Sequence, residues 1–131
     1  MRVFLISSMT LLFLIWSCKS NHYESEYRRL LQDINIFINK SDSVLSAAGS
    51  IGQYQSALAE IEQSIKLQFL PRVDSLMYKE KNMRRKTDLK MIKDFLILYG
   101  KIDRTALEET ELRELRKSFD EVLKKGRGDV K

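Results

Sequence analysis

Apolar residues return along this chain at helical intervals, in four successive blocks. In the first, Tyr23, Leu30, Phe37 and Val44 lie seven apart, and Tyr27, Ile34, Ser41 and Ala48 interleave with them at the same interval. A seven-residue repeat keeps such positions on one seam of a helix, with Ser41 as the only polar member here. The spacing predicts a helix over about 23–48. The polar run NKSDS at 39–43 has the composition of a helix end and marks a second place where it can stop. In the second block Ile51, Tyr54, Leu58, Ile61 and Ile65 follow steps of three and four, and the stripe continues through Phe69, Val73 and Leu76. Pro71 falls inside it. A proline removes an amide from the helix ladder and crowds the carbonyl four residues back, here that of Leu67. Because the stripe survives on both sides, a kink near Leu67 is preferred to a new helix opening at Pro71.

The third block holds Leu89, Ile92, Leu96 and Tyr99, with Met91, Phe95, Ile97 and Leu98 added. Its segment FLILY, 95–99, is apolar all round. That suits a helix at the centre of a bundle better than a docking face. Gly100 suits the left-handed position that closes many helices. The fourth block opens on Thr105 and Glu108, the spacing of a capping box. Leu112, Leu115, Phe119 and Val122 form its stripe. Glu108, Glu109, Glu111 and Glu114 crowd its first turns, and Lys124 and Lys125 close its last, an arrangement that complements the helix dipole. These glutamates read as a solvated face.

The expected fold is therefore all-α, a small helical bundle or stacked helical hairpins over residues 23–125, with a flexible tail at 126–131. Composition agrees. One proline and five glycines among 131 residues are too few for the many turns of a sandwich or barrel. A single cysteine makes no internal disulfide, and a single histidine builds no His-based metal site.

The front of the chain follows another rule. Arg2 is the only charge before Lys19, and residues 3–17 form the uncharged run VFLISSMTLLFLIWS. At 1.5 Å per residue it spans about 23 Å, short of the roughly 30 Å hydrocarbon core, and Ser7, Ser8 and Thr10 weaken it further. A positive start, a short apolar core and small residues at its end are the features of a secretory signal. The run stops at Ile15-Trp16-Ser17-Cys18, which resembles the lipobox of bacterial lipoproteins: an aliphatic residue three before the cysteine and a small one directly before it. Trp16 is bulkier than the residue usual at that place. The resemblance implies removal of a signal peptide, 1–17, between Ser17 and Cys18, and lipidation of Cys18. Residues 18–22 then serve as a short tether. Several acyl chains, each CH₂ worth about 0.8 kcal/mol when buried, hold a domain stably on a bilayer. Lys19 stands where the enterobacterial pattern has an aspartate for inner-membrane retention, so the resemblance implies the outer membrane, facing the periplasm.

A second resemblance is shorter. Gly52-x-Tyr54-x-x-Ala57-Leu58 with Ser64-Ile65-x-Leu67 resembles the second half of a tetratricopeptide repeat, and GKIDRTAL at 100–107 is a weaker echo. It implies two helices in close approach at the small residues, and a concave peptide-binding surface.

The motifs of catalysis are missing from the sequence. His22 stands alone beside the tether, and there is no nucleophile elbow, phosphate-cradling glycine loop or metal-spaced Cys/His set. The expectation is a non-enzymatic protein without small-molecule substrate, metal or cofactor, apart from the covalent lipid on Cys18. Charge is concentrated in one place. Residues 79–93, KEKNMRRKTDLKMIK, carry seven basic and two acidic side chains. The cations Lys79, Lys81, Arg84, Arg85, Lys86, Lys90 and Lys93 form either a solvated connector or a patch for an anionic partner: lipid headgroups, a cell-wall polymer or an acidic protein. Nucleic acid does not fit an exported protein. The tail also contains Arg127-Gly128-Asp129, which resembles the integrin-recognition tripeptide.

The leading expectation is a lipid-anchored envelope protein acting as an adaptor or accessory subunit of a membrane-associated complex. By analogy alone, it matches the size of small lipoproteins of secretion machines. Binding of peptidoglycan or anionic glycan, and contact with host molecules at the cell surface, are the competing expectations. Cys18→Ala is expected to abolish labelling with radioactive palmitate and to leave an uncleaved precursor; unchanged labelling refutes the lipidation.

Overall fold

In a computed structural model the described residues are all-helical, without strands. The structure describes the backbone of residues 2–126 and the side chains of residues 23–125. The helices are α1 (Arg2–Ser46), α2 (Ile51–Ser64), α3 (Leu70–Lys79), α4 (Met83–Tyr99) and α5 (Ala106–Gly126), and a π-helical turn, Ile65–Phe69, joins α2 to α3. Short connections fold the chain back on itself three times, so α1, the α2–α3 rod, α4 and α5 run alternately up and down as an antiparallel bundle.

α1 passes straight through the NKSDS run and ends at Ser46, two residues before the expected limit. Its buried seam is Tyr27, Leu30, Leu31, Ile34, Ile38 and Ser41. Leu31 and Ile38 join it, whereas Val44 swings out to solvent. The reason is geometric: a straight α-helix drifts about 20° per heptad from a strict seven-residue repeat. Ser41, the expected interruption, is itself buried, and no buried side-chain polar atom among the described residues lacks a partner.

The proline is accommodated by the π turn. Leu70 N–H donates to the Ile65 carbonyl, five residues back, and Pro71 enters α3 in its first turn. The helix thus widens just where an amide goes missing, and the rod continues. Leu58, Ile61, Ile65, Phe69, Val73 and Leu76 are buried along it. Ile51 and Tyr54, expected on the same stripe, are exposed. They lie beyond the end of α4, which stops level with Glu62, so no helix covers them.

α4 is the centre of the bundle. Leu89, Ile92, Phe95 and Leu96 expose no surface, and Leu98 and Tyr99 are buried; Ile97 alone of the FLILY segment faces solvent. Gly100 does not take the left-handed conformation expected of it: φ is −83° and ψ −3°. α4 is closed instead by Arg104, whose guanidinium donates to the carbonyls of Leu98, Tyr99 and Lys101 at 3.3, 3.0 and 3.2 Å. What favours a glycine there is the tight space. A Cβ at Gly100 would stand 3.0 Å from Ile65 Cδ1 and 3.3 Å from Glu62 Cα. The expected capping box forms: Thr105 Oγ1 accepts from Glu108 N–H at 3.2 Å, and Glu108 Oε1 accepts from Thr105 N–H at 3.4 Å. Leu112 and Leu115 are partly buried, Phe119 and Val122 fully so, together with Leu123.

The close approach of helices therefore falls at Gly100, whereas at Gly52 an added Cβ would meet only Ser50 Oγ, 4.0 Å away. Opposite signs follow. Gly100→Ala is expected to destabilise the bundle by about 1 kcal/mol, since the Glu62 backbone cannot retreat. Gly52→Ala is expected to stabilise it by about 0.5 kcal/mol through helix propensity. Urea unfolding of the full chain in mild detergent measures both.

Candidate functional site

The described side chains begin at Tyr23, five residues after Cys18. There α1 meets the turn between α3 and α4. The Tyr23 hydroxyl donates to the Glu80 carboxylate. Arg85 donates to both Glu24 oxygens, at 2.5 and 3.2 Å. Its guanidinium stands 4.8 Å from the Tyr27 ring centroid and 5.9 Å from that of Tyr23, within range of a cation–π attraction. Lys79 reaches Glu26 at 4.0 Å. The turn itself is tied together by hydrogen bonds. Glu80 Oε1 accepts from Asn82 N–H at 3.0 Å, and Asn82 Oδ1 caps α4 by accepting from Arg84 and Arg85 N–H at 3.0 and 3.4 Å. Burial, then the bond to Glu80, holds the Tyr23 phenol above its ordinary range, and burial pushes Tyr27 up to about 12. The hydrogen bond to Glu24 raises Arg85.

These contacts divide the seven expected cations. Lys79, Arg85 and Lys93 are engaged within the chain, Lys93 with Asp74 at 2.8 Å. Lys81, Arg84, Lys86 and Lys90 are exposed and make no ion pair among the described residues. Lys81, Arg84 and Lys86 cluster around the turn, and Lys90 follows Lys86 one turn further along the outer side of α4. Two residues that the charge pattern did not single out flank them: Tyr78, 91% exposed, and Met83, 75% exposed. The cue was available, as Met83 interrupts the basic run and Tyr78 directly precedes it, each an apolar side chain that no stripe claims. The side chains of Ser17 and Cys18 lie outside the described ones, and Arg127-Gly128-Asp129 lies outside the described residues.

The opposite end of the bundle differs in character. Its hairpin between α1 and α2 and its connection from α4 to α5 expose Val44, Ile51, Tyr54, Ile102 and Leu107, with Ile51 and Leu107 each 79% exposed. A second polar cluster fixes the helices there. Asp42 accepts from the Tyr99 hydroxyl at 2.7 Å and pairs with Arg116, joining α1, α4 and α5. Burial and the Asp42 bond raise the Tyr99 phenol, and the bond to Asp42 raises Arg116. Lys101 pairs with Glu108 at 2.5 Å and Arg104 with Glu109 at 2.7 Å, so these cations are neutralised locally.

Among the described residues no cluster of His, Cys, Asp and Glu is arranged to hold a metal ion, and no helix is long and apolar enough to cross a membrane. A shallow groove of about 500 Å³ runs between α1 and α3, spanned by Arg72 and Asp33 at 3.0 Å. Comparison with family models, curated proteins and solved structures finds no match to this chain.

The division of cations is testable. Arg85→Gln is expected to cost about 1 kcal/mol, the combined value of a half-exposed ion pair and a cation–π contact. Arg84→Gln is expected to stay within about 0.5 kcal/mol of the parent. Thermal melts of the two variants followed by circular dichroism give the comparison.

Proposed function

We propose that this chain is a non-enzymatic, lipid-anchored helical protein of the bacterial envelope, held by Cys18 on the outer membrane and facing the periplasm. It serves as an adaptor in a membrane-associated complex. The observation that carries the reading is the difference between the two ends of the bundle. One end, next to the lipobox-like Cys18 in sequence, is cationic. The other exposes Ile51, Tyr54, Ile102 and Leu107, which no helix covers among the described residues. Residues 23–46 of α1 separate the two by about 35 Å. A lipid at one end confines the protein to two dimensions and raises its effective concentration near membrane-bound partners. The apolar end then stands away from the bilayer, free to meet a partner's apolar surface.

Binding of peptidoglycan or another anionic glycan is the second reading, supported by Lys81, Arg84, Lys86 and Lys90, which are exposed and make no ion pair among the described residues. Photocrosslinking in live cells separates the two. A crosslinking residue at 51, 54 or 107 is expected to give one discrete protein adduct, and one at Ile36, exposed on the flank of α1, none. Ile51→Asp combined with Leu107→Asp is expected to lower recovery of that adduct about tenfold, the equivalent of 1.4 kcal/mol. If no position yields an adduct while the chain sediments with purified cell wall, the glycan reading replaces the adaptor.

A further inference from the structure

We infer that the α3–α4 turn is a second membrane contact, in which Tyr78 and Met83 enter the interface of an anionic phospholipid surface while Lys81, Arg84 and Lys86 pair with its phosphates. The inference rests on the reading that the chain is anchored through Cys18, and it adds an orientation to that anchor.

Position makes the first argument. The turn is pinned to α1 by the bonds from Tyr23 to Glu80 and from Arg85 to Glu24. Tyr23 is five residues beyond Cys18, so even a fully extended tether keeps it within about 18 Å of the lipidated position. Acyl chains that hold residue 18 at the surface therefore hold the turn beside the headgroups, where its local concentration against the membrane is high.

Charge makes the second. Carboxylates near the turn are already engaged: Glu24 by Arg85, Glu26 by Lys79, and Glu80 by the Tyr23 hydroxyl and the Asn82 amide. Asp88 sits lower on α4, on the side facing Tyr27. Lys81, Arg84 and Lys86 are exposed and make no ion pair among the described residues. Basic side chains close to an anionic leaflet are attracted to it, and each adds to the hold.

Apolar exposure makes the third. Tyr78 and Met83 bracket the turn and present almost their whole side chains to solvent. A tyrosine has an apolar ring and a polar tip, which favours the headgroup level of a bilayer. Asn82 and Glu80 fix the turn that carries both, so presenting them costs little ordering. An acidic protein would satisfy the cations equally well, but it has no reason to sit beside the lipidated residue. The cations around the turn and its place beside Cys18 together select the membrane.

The test uses the full lipidated chain, reconstituted on vesicles of brominated phosphatidylcholine, alone or mixed with phosphatidylglycerol. A fluorophore is carried on a non-natural residue at position 83 and, in a separate protein, at position 51. The expected result is loss of most emission at 83 on the mixed vesicles, little loss on phosphatidylcholine alone, and none at 51 on either. Lys81→Gln, Arg84→Gln and Lys86→Gln together are expected to lower the docked-to-undocked ratio about 100-fold and restore the emission, as does molar salt. Helix content of the triple variant, read by circular dichroism, should match the parent because none of the three makes an ion pair among the described residues. A chain that floats with the vesicles while position 83 stays unquenched overturns the contact alone. Quenching at 51 equal to that at 83 also overturns it. A chain that floats with neither vesicle overturns the anchor and the contact together.

Discussion

Enclosure of α4 governs the rest of the molecule. Leu89, Ile92, Phe95 and Leu96 have no accessible surface, so neighbours must surround the helix on several sides. α5 stacks Phe119 on Phe95, with centroids 5.3 Å apart and planes at 24°. α3 contributes Val73 and Leu76, and α1 lays Tyr27 through Ile38 over the same cluster. Each fully buried side chain of this size is worth about 1.5–3 kcal/mol in removal from water, which is how a bundle without disulfides holds together. The arrangement has a cost in surface. With its most deeply buried helix used up internally, the bundle leaves helix flanks, two ends and one turn among the described residues for outside contacts.

At both ends a tyrosine, a carboxylate and an arginine come together. Glu80, Tyr23, Glu24 and Arg85 do so at the α3–α4 turn, and Asp42, Tyr99 and Arg116 at the far side. Partly exposed ion pairs contribute little net stability. Their value is in alignment: each set joins helices distant in sequence and fixes how far one can slide along another. The apolar core is shared by aliphatic side chains that tolerate such sliding, whereas a hydrogen-bonded charge pair does not.

What could be read from the sequence was what depends on near neighbours. The Thr105–Glu108 capping box, three residues apart, forms as expected, as do the stripes of α4 and α5. Helix period alone specifies these. Ile51 and Tyr54 were misplaced because periodicity says which side of a helix is apolar, and cannot say where the covering helix stops; Val44 was misplaced because a straight helix drifts away from a strict seven-residue repeat. Gly100 was given the wrong conformation because its true constraint is the Glu62 backbone, and the cap that replaces a left-handed glycine comes from Arg104. The basic segment was recognised as a unit, yet Arg85 belongs to a pair 61 residues apart in sequence, and Arg116 to one 74 apart. No local pattern separates such cations from their unpaired neighbours.

The π turn ahead of Pro71 has a further consequence. Ile61, Ile65, Phe69 and Val73 succeed one another at intervals of four, all buried. In an unbroken α-helix twelve residues overshoot three revolutions by about 120°, which would carry Val73 off the core. The widened revolution absorbs about 100° of that, the angular share of one residue. It acts as a phase corrector: a supernumerary residue is stored within the rod, and both halves keep their greasy sides pointing inward. Chain length in this molecule is thus counted at 65–69: with the same number of residues and no widened revolution, α3 would turn about 100° about its own axis and bring Arg72 round toward the position Val73 now fills.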